Sequence, residues 1–103
     1  MEITNQKLMQ FHQELQNLNT NSVLGYLLIG KVNDFYKHNG IRVQTCIEAI
    51  QKIQFDHLEM DEKDHPKLTD PNDPNSVILL EGKTMEQLNS ATLFLMNKIV
   101  NIK

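Results

Sequence analysis

All three prolines of this 103-residue chain lie within nine positions, at 66, 71 and 74. A proline inside a helix removes a backbone donor and clashes with the preceding turn, so a continuous helix cannot run through this stretch. Two long segments without proline flank the cluster. The prolines therefore predict regular structure before and after an interrupted middle segment.

The interrupted segment is also the acidic part of the chain. Between positions 56 and 73 there are seven carboxylates and only two lysines, a net charge of −5. Because the formal net charge of the whole chain is −3, the remaining residues carry +2. A chain with this balance lacks the basic footprint of a nucleic-acid-binding protein, so we expect no nucleic-acid partner.

The first predicted helix follows Thr4, a good N-cap residue. Four apolar residues then recur at the spacings 3, 4 and 3, which is typical of a narrow helical seam: Leu8, Phe11, Leu15 and Leu18. The other faces are rich in glutamine, including Gln6, Gln10 and Gln13. The polar cluster at positions 19–22 predicts the end of this helix and a cap for the next one.

Two further helices are predicted in the central part of the chain. The second runs from Val23 to His38, and the apolar residues on nearly all sides of its stretch 24–29 predict burial by several neighbours, although a buried strand could also explain that short run. Gly30 within this helix suggests a close helix crossing. Asn39 and Gly40 then predict a C-cap and a break. The third helix runs from about Ile41 to Leu58, and its apolar stripe includes Cys46, which we expect to be a buried structural residue.

An irregular insertion is predicted from about 58 to 82, in which three short segments could form a small hairpin or meander: Leu58–Met60, Lys67–Thr69 and Val77–Leu80. Thr84 and Gln87 have the spacing of a capping box, and the last helix should run from there to the C-terminus. The predicted fold is mainly α: about four helices in a compact bundle, with the irregular or small β-containing insertion between helices three and four. We expect residues 1–103 to form a single helical domain.

Signatures of catalysis are absent from the sequence. Cys46 lies 11 residues before His57, about 16 Å along a straight helix, which is too far for a catalytic dyad. The chain has no glycine-rich phosphate loop and no nucleophile elbow. We therefore expect no enzyme, no cofactor and no resident metal. A metal site that uses His57 and His65 is kept as an alternative, because carboxylates lie near both histidines.

Two surfaces are predicted to bind proteins. Eleven asparagines and eight glutamines nearly match the charged residues in number, and amides are cheaper to desolvate than charges. The glutamine-flanked first helix, with Gln6, Gln10 and Gln13, therefore predicts a homo-oligomer through helix one or helix four. The acidic segment, represented by Asp61, Glu62 and Asp64, predicts docking on a basic surface of a partner.

Several segments together resemble small bacteriophage-encoded helical proteins of unassigned function. They are Ile3-Thr4-Asn5-Gln6-Lys7-Leu8, Asp61-Glu62-Lys63-Asp64-His65-Pro66, Val77–Leu80 and Val100-Asn101-Ile102. The chain departs from that pattern at Asn39-Gly40. We accordingly expect a non-catalytic phage accessory protein that binds a protein, such as a host enzyme or antiviral defence complex that it inhibits. The alternative is a virion structural or assembly component.

The sequence also indicates where the protein is expected to be located. No apolar run approaches the roughly 18 residues of a membrane span, and no signal peptide opens the sequence. We therefore expect a cytoplasmic protein without a membrane partner, in the host cell if it is phage-encoded, or in the virion if it is an assembly component.

Overall fold

The computed structural model describes residues 1–18 and 23–103, apart from the side chain of Leu24. The elements follow in the order β1 (Glu2–Thr4), α1 (Asn5–Gln16), α2 (Val23–His57), α3 (Met85–Met96) and β2 (Ile99–Asn101). The described residues therefore form three helices and one two-stranded antiparallel sheet. The chain is mainly α, but the prediction of four helices in a bundle is wrong. The predicted cap cluster at 19–22 lies outside the described residues.

The central helix is continuous where the sequence predicts a break. The amide of Asn39, whose residue is 0% exposed, is held by three hydrogen bonds. Its Nδ2 donates to the carbonyls of Phe35 (3.2 Å) and Lys103 (2.8 Å), and its Oδ1 accepts the Lys103 N–H at 2.7 Å. Gly40 costs about 1 kcal/mol in a helix, which the packing on both sides outweighs. The break prediction is wrong because Asn39 binds a distant segment instead of capping its own helix.

The chain divides into two compact units, Met1–Ile47 with Met96–Lys103, and Glu48–Leu95. In the first unit, β1 and β2 pair antiparallel with Ile3 opposite Val100. The backbone N–H of Asn5 also donates to the carbonyl of Lys98 at 2.9 Å. The prediction that the last helix reaches the C-terminus is therefore wrong: α3 ends at Met96, and the following residues become the partner of the N-terminal strand.

Helix α1 uses its apolar seam within the first unit. Thr4 is confirmed as the N-cap, since its Oγ1 accepts the N–H of Lys7 at 3.2 Å. Leu8 is fully buried, and the ring of Phe11 meets that of Phe35 edge to face with centroids 4.8 Å apart. A hydrogen bond of 2.7 Å joins Nδ1 of His12 to the hydroxyl of Tyr36. These contacts fix α1 on the first half of α2.

Cys46 belongs to the core of the first unit. It is 3% exposed and Val43 is 4% exposed, so the prediction of a buried structural cysteine is confirmed. Burial raises the pKa of its thiol, because the thiolate would lose its hydration there.

The second unit combines the end of α2, the proline-containing segment and α3. Isolated antiparallel bridges join Leu58 to Leu79, Met60 to Pro66 and Leu68 to Val77, so the segments predicted to form a hairpin or meander meet without forming strands. Leu58 is the buried residue at the base of this arrangement. The capping box at the start of α3 is confirmed, with reciprocal hydrogen bonds of 3.0 and 3.2 Å between Thr84 and Gln87.

Candidate functional site

The predicted acidic docking surface is a tight turn that uses one of its own carboxylates. Oδ1 of Asp61 accepts the backbone N–H of His65 at 2.9 Å and that of Lys63 at 2.8 Å. The hydrogen bond from His65, followed by that from Lys63, lowers the pKa of Asp61. Asp64 occupies a left-handed conformation with φ of 61°, which closes the turn. Asp61 therefore stabilises the loop, and its charge is partly satisfied by its own backbone.

The remaining predicted members of this surface are exposed. Glu62 and Asp64 both face solvent, and Lys63 and Lys67 lie with Asp61 and Glu62 around the same shallow depression. Because the two lysines lie among the carboxylates, the negative electrostatic potential of this surface is weaker than its carboxylates alone would produce.

The predicted glutamine surface is also exposed. Gln6, Gln10 and Gln13 follow one another at spacings of 4 and 3 on the side of α1 that lies away from its apolar seam. Leu8 is buried within the first unit and the ring of Phe11 packs on that of Phe35, so this part of the apolar seam of α1 is used within the unit. The glutamines are left as a polar surface without an apolar centre.

The alternative metal site has no support from the geometry. Nδ1 of His57 lies 2.8 Å from the carbonyl oxygen of Ile53, within its own helix. Among residues 1–18 and 23–103, no group of three or more histidine, cysteine or carboxylate side chains is arranged to hold a metal ion.

The surface that the sequence did not predict is an uncovered face of α2 in the first unit. Residues spaced by 3, 4, 7, 11, 14 and 18 positions from Val23 return to one side of a helix with 3.6 residues per turn. We call the resulting set the α2 outer face: Val23, Tyr26, Leu27, Gly30, Asp34, Lys37 and Ile41.

The apolar members of the α2 outer face are among the most exposed apolar residues of the protein. Val23 is 78% exposed, Tyr26 71%, Leu27 69% and Ile41 76%. The prediction that the start of this helix is buried by several neighbours is therefore wrong for these residues. Apolar residues on all sides of a helix were interpreted as full burial, but in this unit α1 covers only the side that carries Phe35 and Tyr36.

Glycine 30 interrupts the row of large side chains on the α2 outer face. A Cβ placed on Gly30 would meet no atom within 4 Å in the described part of the chain. The sequence suggests that this glycine is kept for a close helix crossing, yet no such crossing at Gly30 occurs among the described residues. The face therefore has a shallow notch, flanked by Leu27 and followed one turn later by Asp34.

The second unit contains a separate cavity of about 500 Å³. Its apolar lining comes from the end of α2, the bridged segment and α3: Ile50, Ile53, Leu58, Pro66, Leu68, Pro74, Val77, Met85 and Leu88. Its polar lining consists of Gln54, His65, Asn75, Asn89 and Thr92. The lining contains no lysine, arginine, aspartate or glutamate, so the cavity offers apolar contact and a few polar side chains for hydrogen bonding.

Comparisons with protein-family models, curated proteins and solved structures find no significant match to this chain. The resemblance to phage proteins therefore stays a prediction. Within the described ranges, no helix has both the length and the apolar character that a membrane crossing requires.

Proposed function

We propose that this protein is non-catalytic and acts by binding another protein through the α2 outer face. The observation that carries the proposal is a cluster of three large apolar residues on adjacent turns, Val23, Tyr26 and Leu27, each between 69% and 78% exposed. Ile41, 76% exposed, lies further along the same side of the helix, whose other side is packed. Clustered apolar exposure of this kind marks interaction surfaces, whereas single exposed apolar residues are ordinary.

The free energy gained by burying these apolar side chains favours a partner that contributes apolar surface of its own. Full burial of a large apolar side chain stabilises by about 1.5–3 kcal/mol, so covering the exposed part of these four gives about 4–8 kcal/mol. Association costs about 4–15 kcal/mol in lost freedom. A polar partner would leave almost no net affinity, so the proposal requires a partner that contributes apolar surface of its own.

The charges on the α2 outer face favour a protein over a membrane surface. A helix that lies on a membrane carries a strongly basic polar face beside its apolar one. Here a single carboxylate, Asp34, and a single lysine, Lys37, lie between the apolar residues Leu27 and Ile41. The carboxylate of Asp34 and the amine of Lys37 can each pair with an opposite charge on a protein partner. Such pairs also determine how the two surfaces align.

The proposal is tested by placing a photo-crosslinking amino acid at Tyr26, and in separate variants at Gln10 and at Glu62, in cells that express the full chain. We expect a protein adduct of defined mass from position 26. Gln10 and Glu62 represent the two surfaces predicted from the sequence, and each is exposed, so they are matched controls. No adduct from position 26, together with a defined adduct from either control, would contradict the proposal.

The activities expected from the sequence differ in how well they fit this surface. A component of a multi-copy assembly needs an apolar contact face, which the α2 outer face supplies. Inhibition of a host enzyme or defence complex through acidic docking would depend on Glu62 and Asp64, and it stays a hypothesis. An adduct from the Glu62 position that contains a host protein would support it.

The cavity of the second unit favours a second candidate function, the binding of a small neutral molecule with an apolar body. Its volume of about 500 Å³ lies within the usual range of about 300–1,000 Å³ for ligand sites. The neutral dye N-phenyl-1-naphthylamine should bind with increased fluorescence, and Leu88→Trp should reduce its binding by filling the space. Leu93→Ser lies outside the lining and should leave it unchanged. Equal dye binding by all three chains would refute this function.

A further inference from the structure

We infer that the cavity of the second unit binds an aliphatic molecule whose head group is an uncharged amide or hydroxyl. The inference rests on the second candidate function and deepens it, because it names the chemical class of the ligand. The observations that carry it are the composition of the cavity wall and two side-chain amides within that wall, those of Gln54 and Asn89.

The wall of the cavity favours an aliphatic ligand over one that depends on ring stacking. Among the described residues that line it there is no phenylalanine, tyrosine or tryptophan, and the exposed His65 has the only aromatic ring. The apolar atoms come instead from aliphatic side chains, the thioether of Met85 and two proline rings. Nucleobases are typically held by stacking on aromatic side chains, whereas an aliphatic chain needs only nondirectional apolar contact.

Two helices line the cavity with the same pattern of residues. Positions i, i+3 and i+4 lie on one face of a helix. In both helices the lining residues at the first two of these positions are apolar and the third is an amide: Ile50, Ile53 and Gln54 in α2, and Met85, Leu88 and Asn89 in α3. Because helices hold side chains more precisely than loops do, these two amides are the best-positioned polar groups of the wall.

The amides of Gln54 and Asn89 are available to a ligand. Neither side chain is hydrogen-bonded to another residue in the described part of the chain. Gln54 is partly buried, whereas the other polar lining residues are exposed. The hydroxyl of Thr92 is already used, since it donates to the carbonyl of Leu88 at 2.9 Å. A primary amide has two N–H donors and a carbonyl acceptor, so it can bind an amide or hydroxyl group of a ligand in either direction.

The charges around the cavity favour an uncharged head group. The described lining contains no lysine or arginine, so a carboxylate would lose its hydration without gaining either cation. His65 is the one residue of that lining that can become positively charged, and it interacts electrostatically with the carboxylate of Asp61. An ammonium group would likewise find no aspartate or glutamate in the described lining. A neutral head group avoids both costs and keeps its hydrogen bonds.

The experiment compares octanamide, octanoate and octylammonium, which share an aliphatic chain and differ in the charge of the head group. Each is titrated into the ¹⁵N-labelled full chain and followed by ¹H–¹⁵N NMR. Octanamide should shift the side-chain NH₂ signals of Gln54 and Asn89. The NH₂ signal of Asn33, an exposed residue of α2 outside the cavity, should not move. Octanoate and octylammonium should bind about tenfold more weakly or less, because each would leave a charge without a partner.

Gln54→Leu and Asn89→Leu test the two amides separately, since leucine removes the hydrogen-bonding groups and keeps a side chain of similar size. Each should weaken octanamide binding about twofold to tenfold, the effect of one lost hydrogen bond. The matched control Asn33→Leu should leave it unchanged. The backbone signals in the same spectra verify that every variant is folded.

Three outcomes would overturn the inference: no binding of octanamide to the native chain, equal binding of the three probes, or octanamide binding that neither cavity variant weakens. The fluorescence of N-phenyl-1-naphthylamine separates this failure from that of the second candidate function. Dye binding that Leu88→Trp reduces would leave that function standing while the head-group assignment falls.

Discussion

The buried amide of Asn39 is the contact through which α2 holds the C-terminal segment. In Asn39→Ala, the two hydrogen bonds to Lys103, of 2.7 and 2.8 Å, and the bond of 3.2 Å to Phe35 are lost. At about 0.5–1.5 kcal/mol for each of the two bonds to Lys103, the free energy of unfolding should fall by about 1–3 kcal/mol. Lys103 is exposed and can bind water instead, which keeps the loss within that range. The better helix propensity of alanine returns about 0.5 kcal/mol.

Urea unfolding at a fixed protein concentration measures this loss, and hydrogen exchange locates it. The matched control is Asn33→Ala, which changes an exposed asparagine on the same helix and should gain about 0.5 kcal/mol from helix propensity. In Asn39→Ala the amide of Lys103 should lose protection while that of Leu8 keeps it. Equal stabilities of the two variants, with unchanged protection at Lys103, would refute the assigned role of Asn39.

Three further predictions concern single residues. Gly30→Ala and Gly40→Ala should each raise the free energy of unfolding by about 1 kcal/mol in urea titrations, because both glycines are helical with room for a Cβ. Only Gly30→Ala should lower the yield of the photo-crosslinked adduct from position 26, because Gly30 lies on the α2 outer face, and an equal effect of both would exclude a close approach of the partner at Gly30. The lowered pKa of Asp61 means that its charged form favours the folded state, so its contribution is present above the ordinary pKa of about 4 and is lost as the pH falls through the lower folded value. Asp61→Asn keeps the acceptor without the charge and should flatten the acid side of a stability–pH curve, whereas an unchanged curve would show that the turn does not depend on this charge. Cys46 should react with a thiol reagent about a thousandfold more slowly in the folded chain than in urea, if its exposure requires global unfolding. Comparable rates would show that the thiol is accessible.

Local signals in the sequence predicted the starts of α1 and α3 correctly. Thr4 and the pair Thr84 and Gln87 cap their helices through hydrogen bonds that span three residues, so all the groups involved are visible in a short window. Cys46 could be placed in the core for a similar reason, because its apolar neighbours recur at helical spacing.

The errors arise where distant segments meet. Asn39 followed by Gly40 is typical of a helix end, but the amide of Asn39 binds Lys103, which is 64 residues away. The C-terminal strand likewise exists because Glu2–Thr4 pairs with it. No local pattern in either segment indicates its partner, so a continuous α2 and a terminal sheet could not be predicted from periodicity.

The candidate site was missed for a different reason. The apolar residues of α2 were recognised in the sequence, and all sides of its first half were expected to be covered. Exposure is a property of what surrounds a helix, however, and Tyr26 and Leu27 have the same helical pattern whether their neighbours come from this chain or from another. The structure shows that the cover is missing within the described part of this chain.

Photo-crosslinking from position 26 in the native, Leu27→Ser and Leu93→Ser backgrounds tests the central claim most directly, namely that the protein binds another protein through the α2 outer face. The native background should give a protein adduct of defined mass. Leu27→Ser removes about 1–2 kcal/mol of apolar burial, so its complex should dissociate about fivefold to thirtyfold more readily and the yield of the adduct should fall. Leu93 is similarly exposed, at 62% against 69%, but lies on α3, so Leu93→Ser should match the native background. No adduct in the native background, or an adduct lost with Leu93→Ser and kept with Leu27→Ser, would contradict the account.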